Sequence, residues 1–440
     1  MNMTFKARLI AWLLVIWGIS FFFLGTILGQ SFYLFYVSIL LNMLAFYVKR
    51  NFFSLTSFVF LGTLYPMLGP LVGMILLGKP VYSGWNIELQ SNLDLTSRVL
   101  QICSFSIGIM TVVSFLSFNA LEKNRKHVYF TSLSNYAIVF CILIVGFFLE
   151  RSGTIINSTY TENLATNSSS GGLDAALAQL FILFVALGGL AATNRQRQIF
   201  LSLILVGLAI YFLLQARRSE VVGILFFLVL FLRLKLTVKS FLIFSIAIFF
   251  LMIVEFVRDT GLTSFSSSVI TDDYSDAARI PGASNVFVTL PTMIQIVGDG
   301  MLTPLDRFSL YDWFPRLLPT FLYELIGASP SPLEGSIISG SPYGYIGGMY
   351  YLTIGYLNGG VVGAGFAGAV FVLLAMRLDQ FLNSNNSNIY QKLFAFAFAM
   401  SVMRLLYYHP VGFLKMIIYI IVLIALFKLI AIHRRRITME

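Results

Sequence analysis

The chain has 440 residues, of which 58% are hydrophobic and only 11% charged, with a formal net charge of +10. Such a composition excludes an ordinary soluble domain. Repeated apolar runs, each near the roughly 20 residues needed to cross hydrocarbon, describe an all-α, polytopic helical membrane protein.

The first apolar run, Leu9–Leu28, follows Lys6 and Arg8 as the core of a signal peptide would. No small-residue cleavage site follows it, and the next run starts almost at once, so it reads as a retained span. Phe32–Val48 pairs with it, and Lys49-Arg50 closes the pair on the cytoplasmic side by the positive-inside rule. A third span, near Phe52–Leu77, carries Pro66 and Pro70, which predict a kink or an early end. A polar loop with Lys79, Trp85, Glu88 and Asp94 leads to the fourth span, Val99–Phe118, which stops at the basic cluster Lys123, Arg125, Lys126, His127.

Span five is Tyr136–Leu149, and the Ser/Thr/Asn-rich loop from Glu150 to Gly172 fits the outside. Span six, Leu173–Ala191, returns to Arg195 and Arg197. Span seven, Ile199–Leu214, ends at the turn Gln215-Ala216-Arg217-Arg218-Ser219-Glu220. Span eight runs to Leu232, and span nine is Phe241–Phe256. The two cysteines, Cys103 and Cys141, lie within predicted spans and read as small buried hydrophobes.

From Val257 to Gly360 the chain is polar and too long for a connector. Its aromatics and apolar residues, such as Trp313, Phe314, Leu317 and Phe321, predict a folded lid or half-domain at the membrane surface. Near its end, Tyr345–Leu357 is short and glycine-rich. Counting it as a span would put Arg377, Lys392 and Arg434-Arg435-Arg436 outside. It therefore reads as a surface-lying or re-entrant helix. Val361–Met376, Leu393–Tyr407 and Val411–Ile430 complete about 12 transmembrane helices with both termini inside. The organisation is thus an N-terminal bundle of about nine spans (1–256), a large periplasmic loop (257–360), and about three further spans with a basic cytoplasmic tail (361–440).

This topology collects polar groups at the outer face. Arg217 and Arg218, beside Glu220, suit an anion clamp, because planar guanidinium groups make paired bonds to phosphate oxygens; the alternative is snorkelling to headgroups. Arg404 interrupts a span near its outer end, followed by Tyr408 and His409. His127 and His433 sit in basic inner loops, leaving His409 as the one histidine at hand for outside chemistry, where a neutral imidazole can take a proton. The alternative is a polar helix end before Pro410. In the loop, Arg258, Arg279, Arg307, Asp312, Trp313 and Arg316 combine aromatic faces with charged groups, a pattern suited to sugars or to plain surface ion pairs. The sequence carries no metal motif, Walker loop or dinucleotide fingerprint.

The arrangement resembles the oligosaccharide repeat-unit polymerases of bacterial surface polysaccharides, among them O-antigen and enterobacterial common antigen polymerases. The resemblance rests on the Arg217-Arg218-Ser219-Glu220 turn opening a span and on Phe314-Pro315-Arg316-Leu317-Leu318-Pro319 in the loop. Ser341-Pro342 with the glycine-rich helix ending Leu357-Asn358-Gly359-Gly360, and the late Arg404, complete it. It implies a metal-independent membrane glycosyltransferase of the C superfamily in the bacterial inner membrane, with no cofactor and with its active site facing the periplasm. The implied substrates are undecaprenyl-diphosphate-linked oligosaccharides, held among membrane lipids, and the implied partners are a chain-length regulator and a flippase, not nucleic acid. By position, Arg217, Arg218 and Arg404 match the family's diphosphate-holding arginines and His409 its base. Glu220, Tyr408 and the loop residues fall to substrate binding. An O-antigen ligase would share these features. A flippase or transporter would instead call for internal repeats and ionisable groups at mid-membrane.

Overall fold

The structure is a computed structural model; it describes residues 5–28, 32–49, 54–67, 93–116, 195–214, 289–302, 349–383 and 389–407, with scattered positions elsewhere. Among the described residues it is helical throughout, without strands. The elements are α1 (Phe5–Ile27), α2 (Phe32–Lys49), α3 (Leu55–Leu64, closed by a 3-10 turn at Tyr65–Met67), α4 (Leu93–Leu116), α5 (Arg195–Leu214), α6 (Thr289–Gly298), α7 (Tyr351–Asn383) and α8 (Ile389–Tyr407). Among the described residues, three helical stretches are long and apolar enough to cross a membrane by length and composition: Leu9–Ile27, Leu93–Leu116 and Tyr351–Leu382, the last of which contains a reversal.

Helix α1 turns Leu9, Leu13, Ile16, Trp17 and Leu24 outward. Its inner side carries small residues: Gly18 lies against Asn42 and Gly25 against Phe35, so the backbones of α1 and α2 approach closely. Trp12 packs edge-on to Phe115, and Gln101 Nε2 donates to Thr26 Oγ1 at 3.3 Å, which sets α1 antiparallel to α4. A buried bond of 2.8 Å from Ser104 Oγ to Ser38 Oγ ties α4 to α2.

Helix α7 is two helices joined at a reversal. Gly359 and Gly360 leave helical geometry, and Gly360 has φ 59° and ψ −146°, a conformation essentially confined to glycine. In a straight helix, positions 355 and 363 would stand about 12 Å apart along the axis. Here Gly355 lies against Gly363, Ala364 and Ala367, so a short arm (351–358) folds back on a long arm (361–383). The break falls at the predicted boundary between the glycine-rich helix and the following span. The long arm continues past the expected end at Met376, however, and carries Arg377 and Asp379 inside the helix.

That extension matters for packing. Asp379, only 4% exposed, accepts from the Leu55 amide at 2.8 Å, the Thr56 amide at 3.1 Å and the Thr56 hydroxyl at 2.6 Å. Ser54 caps the Ser57 amide at 3.1 Å. The first turn of α3 thus has a partner for each amide, and a carboxylate sits at the positive end of its dipole. The end of α7 and the start of α3 therefore occupy one end of the bundle.

Within the long polar stretch, α6 is an apolar buried helix, with Leu290, Met293, Ile294 and Ile296 at most 4% exposed. The expectation of a folded lid or half-domain did not single out this run, because flanking polar residues dilute a stretch of ten residues. Its end is a Schellman turn: Met301 N bonds to Ile296 O at 3.2 Å, Gly300 N bonds to Val297 O at 3.3 Å, and Gly300 has φ 69°.

Asp379→Ala leaves the Leu55 and Thr56 amides without acceptors and is expected to cost on the order of 2–4 kcal/mol. Asp379→Asn should lose less, because its amide oxygen still accepts. Thermal unfolding of the purified protein in detergent measures both, and a wild-type melting curve for Asp379→Ala would refute the capping role.

Candidate functional site: a junction of helix ends inside the bundle

Pro66 has no amide hydrogen, so the Gly62 carbonyl lacks the helical donor four residues on. Tyr65 is still helical (φ −52°, ψ −47°), and its amide bonds to Leu61 O. Beyond it the backbone needs other donors, and tyrosines supply them. Tyr407 OH donates to Gly62 O at 2.6 Å, Tyr350 OH to Thr63 O at 2.8 Å, and Tyr36 OH to Met67 O at 2.9 Å. Three chain ends meet here: the end of α3, the end of α8, and the start of the short arm of α7. Met349 N donates to Tyr407 O at 2.9 Å, closing the ring of contacts.

Helix rise gives the depth of this junction. Tyr351 packs edge-on to Phe371 with ring centroids 4.9 Å apart. Phe371 lies about 12 Å along the long arm from Asp379 and about 16 Å from the reversal at Gly360. The junction is therefore inside the bundle, and the short arm climbs from it to the turn. Non-helical backbone is tolerated at such depth only where protein or a lined cavity surrounds it. Here the lining is largely hydroxyl-bearing: Thr63 Oγ1 and Tyr351 OH lie 3.0 Å apart, and Thr289 Oγ1 and Thr353 Oγ1 lie 3.0 Å apart. Thr289 also takes the Tyr350 amide at 3.2 Å, which docks α6 on the short arm.

Of the residues singled out from sequence, Arg404 lies on the final turn of α8, the helix that enters this junction. Arg217, Arg218, Glu220, Arg258, Arg279, Arg307, Asp312, Trp313, Arg316, Tyr408 and His409 lie outside the described residues. One contact bears on the first three. Gly223 is seated on the carbonyl of Met400, where a Cβ would collide, and Val221, Ile224 and Leu228 beside it are buried with helical spacing. The segment just beyond Glu220 therefore packs on α8 one turn before Arg404. Among the described residues no three His, Cys, Asp or Glu side chains gather as metal ligands.

Sequence reading missed Tyr36, Tyr350, Tyr351, Tyr407 and Asp379. The local signal for the tyrosines was Pro66, which announces unpaired carbonyls but not their partners. Asp379 had no local signal beyond being an acid close to a span.

Among the described residues the fold is all-helical, with helices of membrane-spanning length and composition. No family model, curated protein or solved structure matches the chain.

Tyr350→Phe removes the hydroxyl that bonds to the buried Thr63 carbonyl and is expected to destabilise by about 1–3 kcal/mol, with a similar loss for Tyr36→Phe at Met67. Tyr33→Phe, at an exposed ring, serves as the control and should melt as wild type. Equal melting temperatures for all three variants would show that the tyrosine bonds are not what closes the end of α3.

Proposed function

We propose that the chain polymerises undecaprenyl-diphosphate-linked oligosaccharide repeat units into a surface polysaccharide on the periplasmic side of the bacterial inner membrane. The observation that carries this reading is the seat of Gly223 on Met400. Glu220 precedes Gly223 by three residues, and Arg404 follows Met400 by four. In the twelve-span topology the two segments run antiparallel, and in this reading the Arg217-Arg218 turn and Arg404 serve the same outer face. Three arginines serving one face suit a diphosphate, whose departing charge they meet without a metal.

In this reading an acceptor sugar hydroxyl attacks the anomeric carbon of the donor glycan. The bond from that carbon to the diphosphate oxygen breaks, and undecaprenyl diphosphate leaves with the charge held by Arg217, Arg218 and Arg404. His409 takes the hydroxyl proton. Glu220 orients an arginine, while Tyr408, Arg258, Arg279, Arg307, Asp312, Trp313 and Arg316 hold sugars.

The bundle geometry is consistent with the assigned topology. Asp379 shares an end with Ser54 and Leu55, just after Lys49-Arg50. Both lie on the cytoplasmic side when the short arm of α7 does not span. A cysteine placed at Ser384 should then react only with reagents that enter the cytoplasm, and periplasmic labelling there would discard the twelve-span arrangement.

Lysine keeps the charge of arginine but not its fork. Arg217→Lys and Arg218→Lys should therefore leave protein in the membrane while surface chains collapse to single repeats, a loss of at least about 10-fold in long-chain product. Near-normal long chains from both variants would reject the clamp. Complete loss of glycan from the lipid A core in a deletion strain would favour a ligase or flippase instead.

A further inference from the structure

Tyr407 makes two ties. Its hydroxyl reaches the Gly62 carbonyl at 2.6 Å, and its own carbonyl receives the Met349 amide at 2.9 Å. Beside it, Leu406 fills the space left by the missing side chain of Gly62. The last turn of α8 is thus docked on α3 and on the start of the short arm together. Arg404 belongs to that turn, about 4.5 Å of helix rise before Tyr407.

We propose that Tyr407 is a positioning residue: its bond to the Gly62 carbonyl fixes the last turn of α8 and, with it, the backbone from which Arg404 projects. The proposal rests on the reading of Arg404 as a diphosphate-holding residue. The simpler account gives the Tyr407 hydroxyl one task only, to replace the donor that Pro66 lacks. The two accounts differ in what Pro66→Ala does. Alanine returns an amide hydrogen at a point where Tyr65 keeps helical geometry, so it can satisfy Gly62 from within α3. It restores the hydrogen bond to the carbonyl but not the tie between α8 and α3.

The test uses full-length protein and native lipid-linked repeat units extracted from a strain lacking it. Melting temperature and kcat at saturating substrate are measured for Tyr407→Phe, Pro66→Ala and the double variant, with turnover counted per folded molecule. Tyr407→Phe is expected to lower both quantities, with kcat falling about 10- to 100-fold, as small misplacements of a reacting group do. Pro66→Ala alone should turn over as wild type, because a carbonyl can accept from both donors. In the double variant the melting temperature should return while kcat stays low.

A kcat that returns together with the melting temperature overturns the positioning role and leaves Tyr407 as a substitute donor. Wild-type kcat in folded Tyr407→Phe overturns it as well, whatever the double variant does. Arg404→Lys separates the two readings. If it turns over as wild type, the diphosphate role of Arg404 fails and takes the proposal with it. If it is impaired while Tyr407→Phe is not, only the positioning role fails.

Discussion

A helix that stops inside an apolar bundle leaves carbonyls that water cannot reach, and the interior of this protein is arranged around that constraint. Pro66 ends α3 early and removes the donor for Gly62. Each stranded carbonyl would cost several kcal/mol in a medium without hydrogen-bond partners. Tyrosine is suited to the repair, since its ring packs in the core while its hydroxyl reaches a carbonyl. Tyr36, Tyr350 and Tyr407 come from three different segments, so satisfying one helix end also fixes where α2, the short arm of α7 and α8 must lie.

The opposite end of α3 is held by another means. Asp379 reaches across from α7 to accept from two backbone amides and one hydroxyl, and Ser54 takes a third amide. A buried carboxylate is costly unless its oxygens are filled by donors, and the N-terminus of a helix presents them already aligned. Helix α3 is therefore a short strut fixed at both ends, by an acid at one and by tyrosine hydroxyls at the other.

The glycines of α7 serve the same architecture. Gly360 makes the reversal, and Gly355 with Gly363 lets the two arms touch backbone to backbone. The short arm can then start at the junction, where its first amides and side chains complete the bonding of α3 and α8.

Several features of this protein were written locally in its sequence. The lengths of the apolar runs predicted α1 and α2 nearly to their ends, whereas α4 starts at Leu93, six residues before the expected Val99, and takes Asp94 into its first turn. Pro66 predicted the early end of α3, and the glycines at 359 and 360 predicted the break before the last long helix. These follow from local chemistry: the length of an apolar run, a missing amide hydrogen, a φ that only glycine adopts readily. Arg404 stood out because a charge within an apolar run is visible in one dimension. The partners were not visible. Tyr407 lies 345 residues from Gly62, and Asp379 lies 324 from Leu55. A tyrosine on a buried helix face and an acid just past a predicted span look the same in sequence whatever they bond to. Only the packing of α3 between α7 and α8 decided that these hydroxyls and this carboxylate would meet the backbone groups that α3 leaves unpaired.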